Sequence, residues 1–178
     1  MADVSKYIFR RFYGLPLQKV AIYMLFLILF WMLLQFIVAK KIRQRTFWKS
    51  VNILGSIGMI VVILIVTISS RGTATELVLQ PFASFAEARI QPEMYRSMFM
   101  NIFLFFPLGL TLPYALPEKW KRNALITVLI AFLLSFTVEF LQYNYHLGRA
   151  ETDDVLCNTL GAFVGTLSYT LSRKFDQK

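Results

Sequence analysis

Glu139 and Gln142, three residues apart, and Asp154 and Asn158, four apart, are the side chains whose types and spacing best suit chemistry in this chain. On a helix each spacing puts the pair on one face. Ser135 lies four residues before Glu139 and extends that face, while Arg149 and Asp153 stand in the short stretch between the two pairs. A carboxylate held in an apolar setting can serve as a general acid or base, and carboxamides with an arginine around it can hold an anionic or hydrogen-bonding headgroup. Glu139 and Asp154 are therefore the candidate acid/base residues. Arg71, Asn101, Ser135, Gln142, Arg149, Asp153 and Asn158 are the candidate headgroup-binding or pocket residues.

The elements that must position them are membrane spans. The chain has 178 residues, of which 57% are hydrophobic, including 17 Phe, and only 16% are charged. A water-soluble domain of this size would expose too much apolar surface. Crossing the hydrocarbon layer takes about 20 residues of helix. Five runs approach that length: Val20 to Ala39, Val51 to Ser69, Met98 to Leu116, Ala124 to Gln142, and Val155 to Leu171. Lipid offers no partner to an open strand edge, so each run is expected to be helix. The expected fold is all-α, a polytopic transmembrane helix bundle of about five spans, with residues 20–178 forming one domain. Pro107 and Pro113 allow a kink in the third run, and the acids at the start of the fifth allow a half-helix there.

Residues 1–19 form a basic segment with Lys6, Arg10, Arg11 and Lys19. No small-residue cleavage site follows, so the first run reads as an uncleaved span. Ile8, Phe12 and Leu15 at helical spacing fit an interfacial helix, and a disordered basic tail fits equally well. The basic residues between runs one and two, between three and four, and after five share one side under five-span alternation. That side should be the cytoplasm, with the carboxy terminus on it. The four bases of the amino-terminal segment dissent from this arrangement. The net charge of +9 fits contact with anionic lipid. No nucleic-acid partner is expected, because the bases border spans instead of forming one patch.

Under this topology the polar residues converge at the outer interface. Asn101 lies one turn inside the third span and Arg71 directly follows the second. A charged carboxylate costs roughly 2.5–3.5 kcal/mol at the centre of a span and less towards its ends, so Glu139 needs compensation. One reading is a Glu139–Arg149 clamp that ties the loop to the bundle, with Asp154 and Asn158 capping the fifth span. The other is a water-filled pocket for a polar headgroup or for acid/base chemistry. Asp153, Asp154 and Glu139 have the hard oxygens a metal would use, but Arg149 opposes a cation, and neither metal nor cofactor is expected. Gly161 and Gly165 allow close helix approach, read here as internal packing. Cys157 is the only cysteine and reads as a packing residue, and His146 as an interfacial loop residue.

The ordered set Asn101-Ile-Phe-Leu-Phe-Phe-Pro107-Leu-Gly109, Ser135-Phe-Thr-Val-Glu139-Phe-Leu-Gln142, and Gly148-Arg149 leading to Asp153-Asp154 and Asn158-Thr-Leu-Gly161 resembles the VanZ-like family. That family is named for a protein conferring low-level teicoplanin resistance in glycopeptide-resistant bacteria. The resemblance covers roughly Arg71 to Leu171. It departs at Ala150-Glu151-Thr152, where the family often has a further Asp. The resemblance implies a multi-pass protein of the bacterial cytoplasmic membrane. Its expected partners are membrane lipids and a lipid-linked cell-wall precursor. It would modify or sense such an envelope component and lower glycopeptide susceptibility. A non-catalytic binding or scaffold protein is the alternative. A small transporter has less support, since the charges gather at one depth instead of lining a path.

Overall fold

The computed structural model describes residues 45–69, 76–91, 93–117 and 122–176, and part of the stretch 22–34. In order these form α1 (Arg45–Ser69), β1 (Glu76–Val78), α2 (Ala83–Ala88), α3 (Glu93–Ala115), α4 (Asn123–Asn144), β2 (Arg149–Glu151) and α5 (Thr152–Asp176). Among the described residues the fold is all-α apart from two three-residue strands. The described residues of the first apolar run are helical. Its boundaries, the basic segment 1–19 and Arg71 lie outside the described residues.

The four long helices have 22 to 25 residues, which is about 33 to 38 Å and enough to cross a bilayer core. Thr46–Thr67, Glu93–Ala115 and Asn123–Asn144 are also apolar enough to do so. On α4 the residues Leu125, Leu129, Phe132, Phe136 and Phe140 stay exposed, as a lipid-facing surface requires. α5 is as long but buries Asp153, Asp154, Asn158, Thr166 and Ser168 against the bundle, so its composition is more polar. It runs unbroken from Thr152, with no half-helix break.

α3 stays helical through Pro107 and Pro113. Proline lacks the N–H that would serve the carbonyl four residues earlier. Pro117 therefore leaves the Pro113 carbonyl short of a donor, and Asn123 Nδ2 donates to it at 3.0 Å. The same nitrogen lies 3.3 Å from the Pro117 carbonyl, so one buried amide ties the start of α4 to the end of α3. Ser56 Oγ donates to Thr111 Oγ1 at 3.0 Å and ties α1 to α3.

The core forms where α3, α4 and α5 meet, around Leu104, Phe105, Leu108, Ala131 and Ala162, with Ile63 from α1. α3 and α5 approach backbone to backbone. A Cβ on Gly109 would lie 2.1 Å from the Ala162 carbonyl oxygen, one on Gly161 2.0 Å from that of Ile102, and one on Gly165 2.4 Å from that of Phe106. Gly161 and Gly165 thus serve internal packing.

At one end of the bundle, where α1 and α4 finish and α3 and α5 begin, β1, α2 and β2 form a strap against the helices. β1 and β2 pair in parallel, with Glu76 opposite Arg149, Leu77 opposite Ala150 and Val78 opposite Glu151. The chain leaves α4 through His146 at φ 54 and Gly148 at φ 139, a left-handed exit that the missing Cβ of Gly148 makes easy.

Candidate functional site

Beneath the strap, the ends of four helices are joined by buried polar side chains. The 3.6-residue period puts Ser135, Glu139 and Gln142 on the inward face of α4, and all three are buried. Asp154 and Asn158 do the same on α5, and Asn101 on α3. Asn101 Nδ2 donates to Asp154 Oδ1 at 2.6 Å, and Asn158 Nδ2 donates to Ser135 Oγ at 2.9 Å. Gln142 Nε2 donates to the Thr67 carbonyl of α1 at 2.8 Å. Glu139 Oε2 accepts the Glu151 backbone N–H at 3.0 Å, which links this layer to the strap. The carbonyl oxygens of Gln142 and Asn158 are buried without a hydrogen-bond partner.

The strap has its own polar framework. Phe82, at the amino end of α2, sits at φ 64 and has no side-chain acceptor to cap that helix. Asp153 supplies one from α5: Oδ1 accepts Phe82 N–H at 2.6 Å and Oδ2 accepts Ser84 N–H at 2.8 Å. The Ser84 hydroxyl donates to Glu151, and Thr152 Oγ1 donates to the Leu79 carbonyl at 3.1 Å.

Arg149 grips Glu87 with both terminal nitrogens, each bond 2.8 Å long, and its Nε lies 3.2 Å from Glu151 and 3.3 Å from Glu76. A forked pair of this kind is stronger and more directional than a single contact. The hydrogen bonds from Arg149 hold the Glu87 carboxyl below its ordinary pKa, and the bond to Glu87 raises that of Arg149.

Of the sequence candidates, Asn101, Ser135, Glu139, Gln142, Asp154 and Asn158 come together in one buried layer. Asp153 and Arg149 lie beside it with their groups engaged in the strap. A clamp on the bundle exists, but its forked partner is Glu87, and Glu139 holds the strap through the Glu151 backbone. Sequence reading passed over Glu87, Glu76, Glu151, Ser84 and Thr67. The pairing of β1 with β2 sets Glu76 opposite Arg149, and α2 carries Glu87 to it.

Chemically, the layer offers two buried carboxylates and two unpartnered amide carbonyl oxygens. The carbonyls can accept hydrogen bonds from a hydroxyl, amine or water.

An apolar helix bundle with such a layer under a short strap is a small integral membrane protein. The VanZ/LLP1 family profile matches residues 21–173, and the chain belongs to this VanZ-like family. Protein VanZ of Enterococcus faecium is similar to it, with 35% identity over 80 residues, which make up 45% of this chain and 48% of that protein. The chain thus spans about half the length of the curated relative it matches. No solved structure matches.

Proposed function

We propose that this protein binds and acts on the polar headgroup of an envelope amphiphile, a membrane lipid or a lipid-linked cell-wall precursor, and so lowers susceptibility to glycopeptides such as teicoplanin. The observation that carries this reading is the pair of buried, unpartnered carbonyl oxygens on Gln142 and Asn158. They share helix faces with Glu139 and Asp154. In a bilayer an unmet polar group is costly, and its retention beside buried acids favours a ligand over a purely structural tie. Kinship with VanZ points to the envelope as the source of that ligand. Glu139 is the residue proposed to move a proton, with Asp154 oriented by Asn101 and Arg149 securing the cover.

The strap end is proposed to face away from the cytoplasm. Arg45 and Lys49 at the start of α1 and Arg122 just before α4 lie at the opposite end, and the neighbouring sequence adds Lys40, Lys41, Arg43, Lys119 and Lys121, which leaves the carboxy terminus on the cytoplasmic side. Binding without turnover is a second reading, favoured by the same amide oxygens, which can hold a headgroup without the acid reacting.

Glu139→Gln separates the two readings, because glutamine keeps an oxygen for the Glu151 N–H while losing the charge and the exchangeable carboxyl proton. The measurement is teicoplanin and vancomycin susceptibility of a Gram-positive host at matched membrane levels of wild type and variant. Protection by wild type that is lost in the variant is the expected result. Protection kept by the variant leaves the binding reading, and no protection by wild type removes the resistance role.

A further inference from the structure

The strap carries an apolar surface that the polar layer does not use. Leu79, Phe82, Phe85 and Ile90 are exposed, Ile90 at 83% of its full area and Leu79 at 69%. On α2, Ser84 and Ala88 are buried and Glu87 meets Arg149, so the inward face of this short helix is already occupied. Phe82 and Phe85 lie on the other side with ring centroids 5.8 Å apart. The backbone at Phe82 is left-handed, a conformation a bulky residue adopts only when its surroundings impose it, and here Asp153 holds its N–H.

Three observations say what covers this surface. The first is depth. Asp153 binds the backbone of Phe82 and Ser84, and Leu156, three residues further along α5 and so about 4.5 Å deeper, opens the exposed stripe that continues through Leu160, Phe163 and Leu167. Lipid covering that stripe would reach nearly to the level of α2. The second is the aromatic belt. Tyr95 near the start of α3 and Tyr143 and Tyr145 at the end of α4 are all exposed at this end, the placement that marks a membrane–water interface. The third is charge: Arg89 is exposed next to Ile90, where it would meet anionic headgroups.

We infer that residues 79–90 form an interfacial anchor, with Leu79, Phe82, Phe85 and Ile90 set into the headgroup and upper acyl region of the leaflet at the strap end. Arg149 and Asp153 tie this anchor to the cover of the polar layer. The ligand then enters from within the leaflet, as an amphiphile whose chains stay in lipid while its head reaches Glu139, and not from bulk water. This last step rests on the function proposed above; the anchor itself does not.

The test uses the full chain with Cys157→Ala as background and a single cysteine placed by Phe85→Cys or by Ile90→Cys, with Arg122→Cys at the opposite end as the water-exposed control. Each is labelled with an environment-sensitive fluorophore in vesicles of phosphatidylethanolamine and phosphatidylglycerol. Labels at 85 and 90 are expected to emit at shorter wavelength than the control. Lipids brominated high in the acyl chain should quench them, and aqueous iodide should spare them. Iodide quenching equal to that of the control overturns the anchor. Shielding from both iodide and brominated lipid also overturns it, in favour of a second copy of the chain as the cover. In cells, Phe85→Asp combined with Ile90→Asp should weaken glycopeptide protection several-fold at matched membrane levels. A wild type that protects nothing refutes the resistance role alone, and the vesicle result still decides the anchor.

Discussion

α3 and α5 meet in two ways along their length, and the two regions differ in what fills the space between the helices. Deep in the bundle Gly109, Gly161 and Gly165 remove side chains altogether, so that carbonyl oxygens of one helix lie where a Cβ of the other would be. Towards the strap the same helices meet through polar side chains, beginning with Asn101 and Asp154. In lipid there is little hydrophobic gain from helix association, so close van der Waals packing through small residues supplies the attraction. The glycine seam holds the helices at a fixed spacing, and that spacing lets a buried layer of acids and amides persist beside it. One region would fail if it gained a methyl group. The other tolerates buried polar atoms without partners.

The largest effect is expected from breaking the seam. Gly161→Val puts a branched side chain against the Ile102 carbonyl, with its Cβ only 2.0 Å from that oxygen. Since backbone cannot yield as a side-chain tip can, destabilisation of about 3 kcal/mol or more is expected, read as a lowered unfolding midpoint in detergent. A variant as stable as wild type would mean the seam is not what holds α3 against α5.

A smaller and more local effect is expected at the strap. Arg149→Ala leaves Glu87, Glu76 and Glu151 without their shared cation. Hydrogen exchange should accelerate at Leu77, Val78, Phe82 and Ser84 while the centres of α3 and α5 keep their protection. Arg149→Lys should fall between the two, because an ammonium cannot reproduce the fork on Glu87. Faster exchange spreading into α3 would break the division between the two regions.

The smallest effect is one of pH. Arg149 lowers the pKa of Glu87 from an ordinary 4.5, so the folded state binds the Glu87 proton less readily than the unfolded chain does. The stabilisation is therefore complete above pH 4.5 and declines as pH falls through the lowered value. Both groups are partly exposed, so solvent screening keeps the contribution modest. Exchange at the strap amides should rise on acidification below pH 4.5, with Arg149→Ala abolishing that dependence. A pH response unchanged in the variant would assign it to other acids.

Much of this was legible before any fold was known. The long apolar runs dictated helices because lipid leaves the backbone no other partner, and α1, α3 and α4 lie where those runs predicted. The shared face of Ser135, Glu139 and Gln142 followed from the helical period alone, and burial of all three agrees with it. The Glu139–Arg149 clamp, one of the two readings of these residues, shows where such reading stops. It joined two residues close in sequence, whereas Arg149 binds Glu87, 62 residues away. Asp153 was grouped with the pocket by proximity to Asp154, yet its carboxylate caps a short helix 71 residues before it.

What the sequence determined by itself was local or additive: helix length from apolar length, shared faces from 3.6-residue spacing, and a polar layer at one depth from residues near the ends of successive spans. What only the tertiary structure decided was which groups meet. The register of β1 on β2, the docking of α2 under Asp153 and the rotation of α5 against α3 depend on contacts between segments tens of residues apart. The energies of those contacts are set by mutual orientation, which no spacing along one strand of sequence encodes.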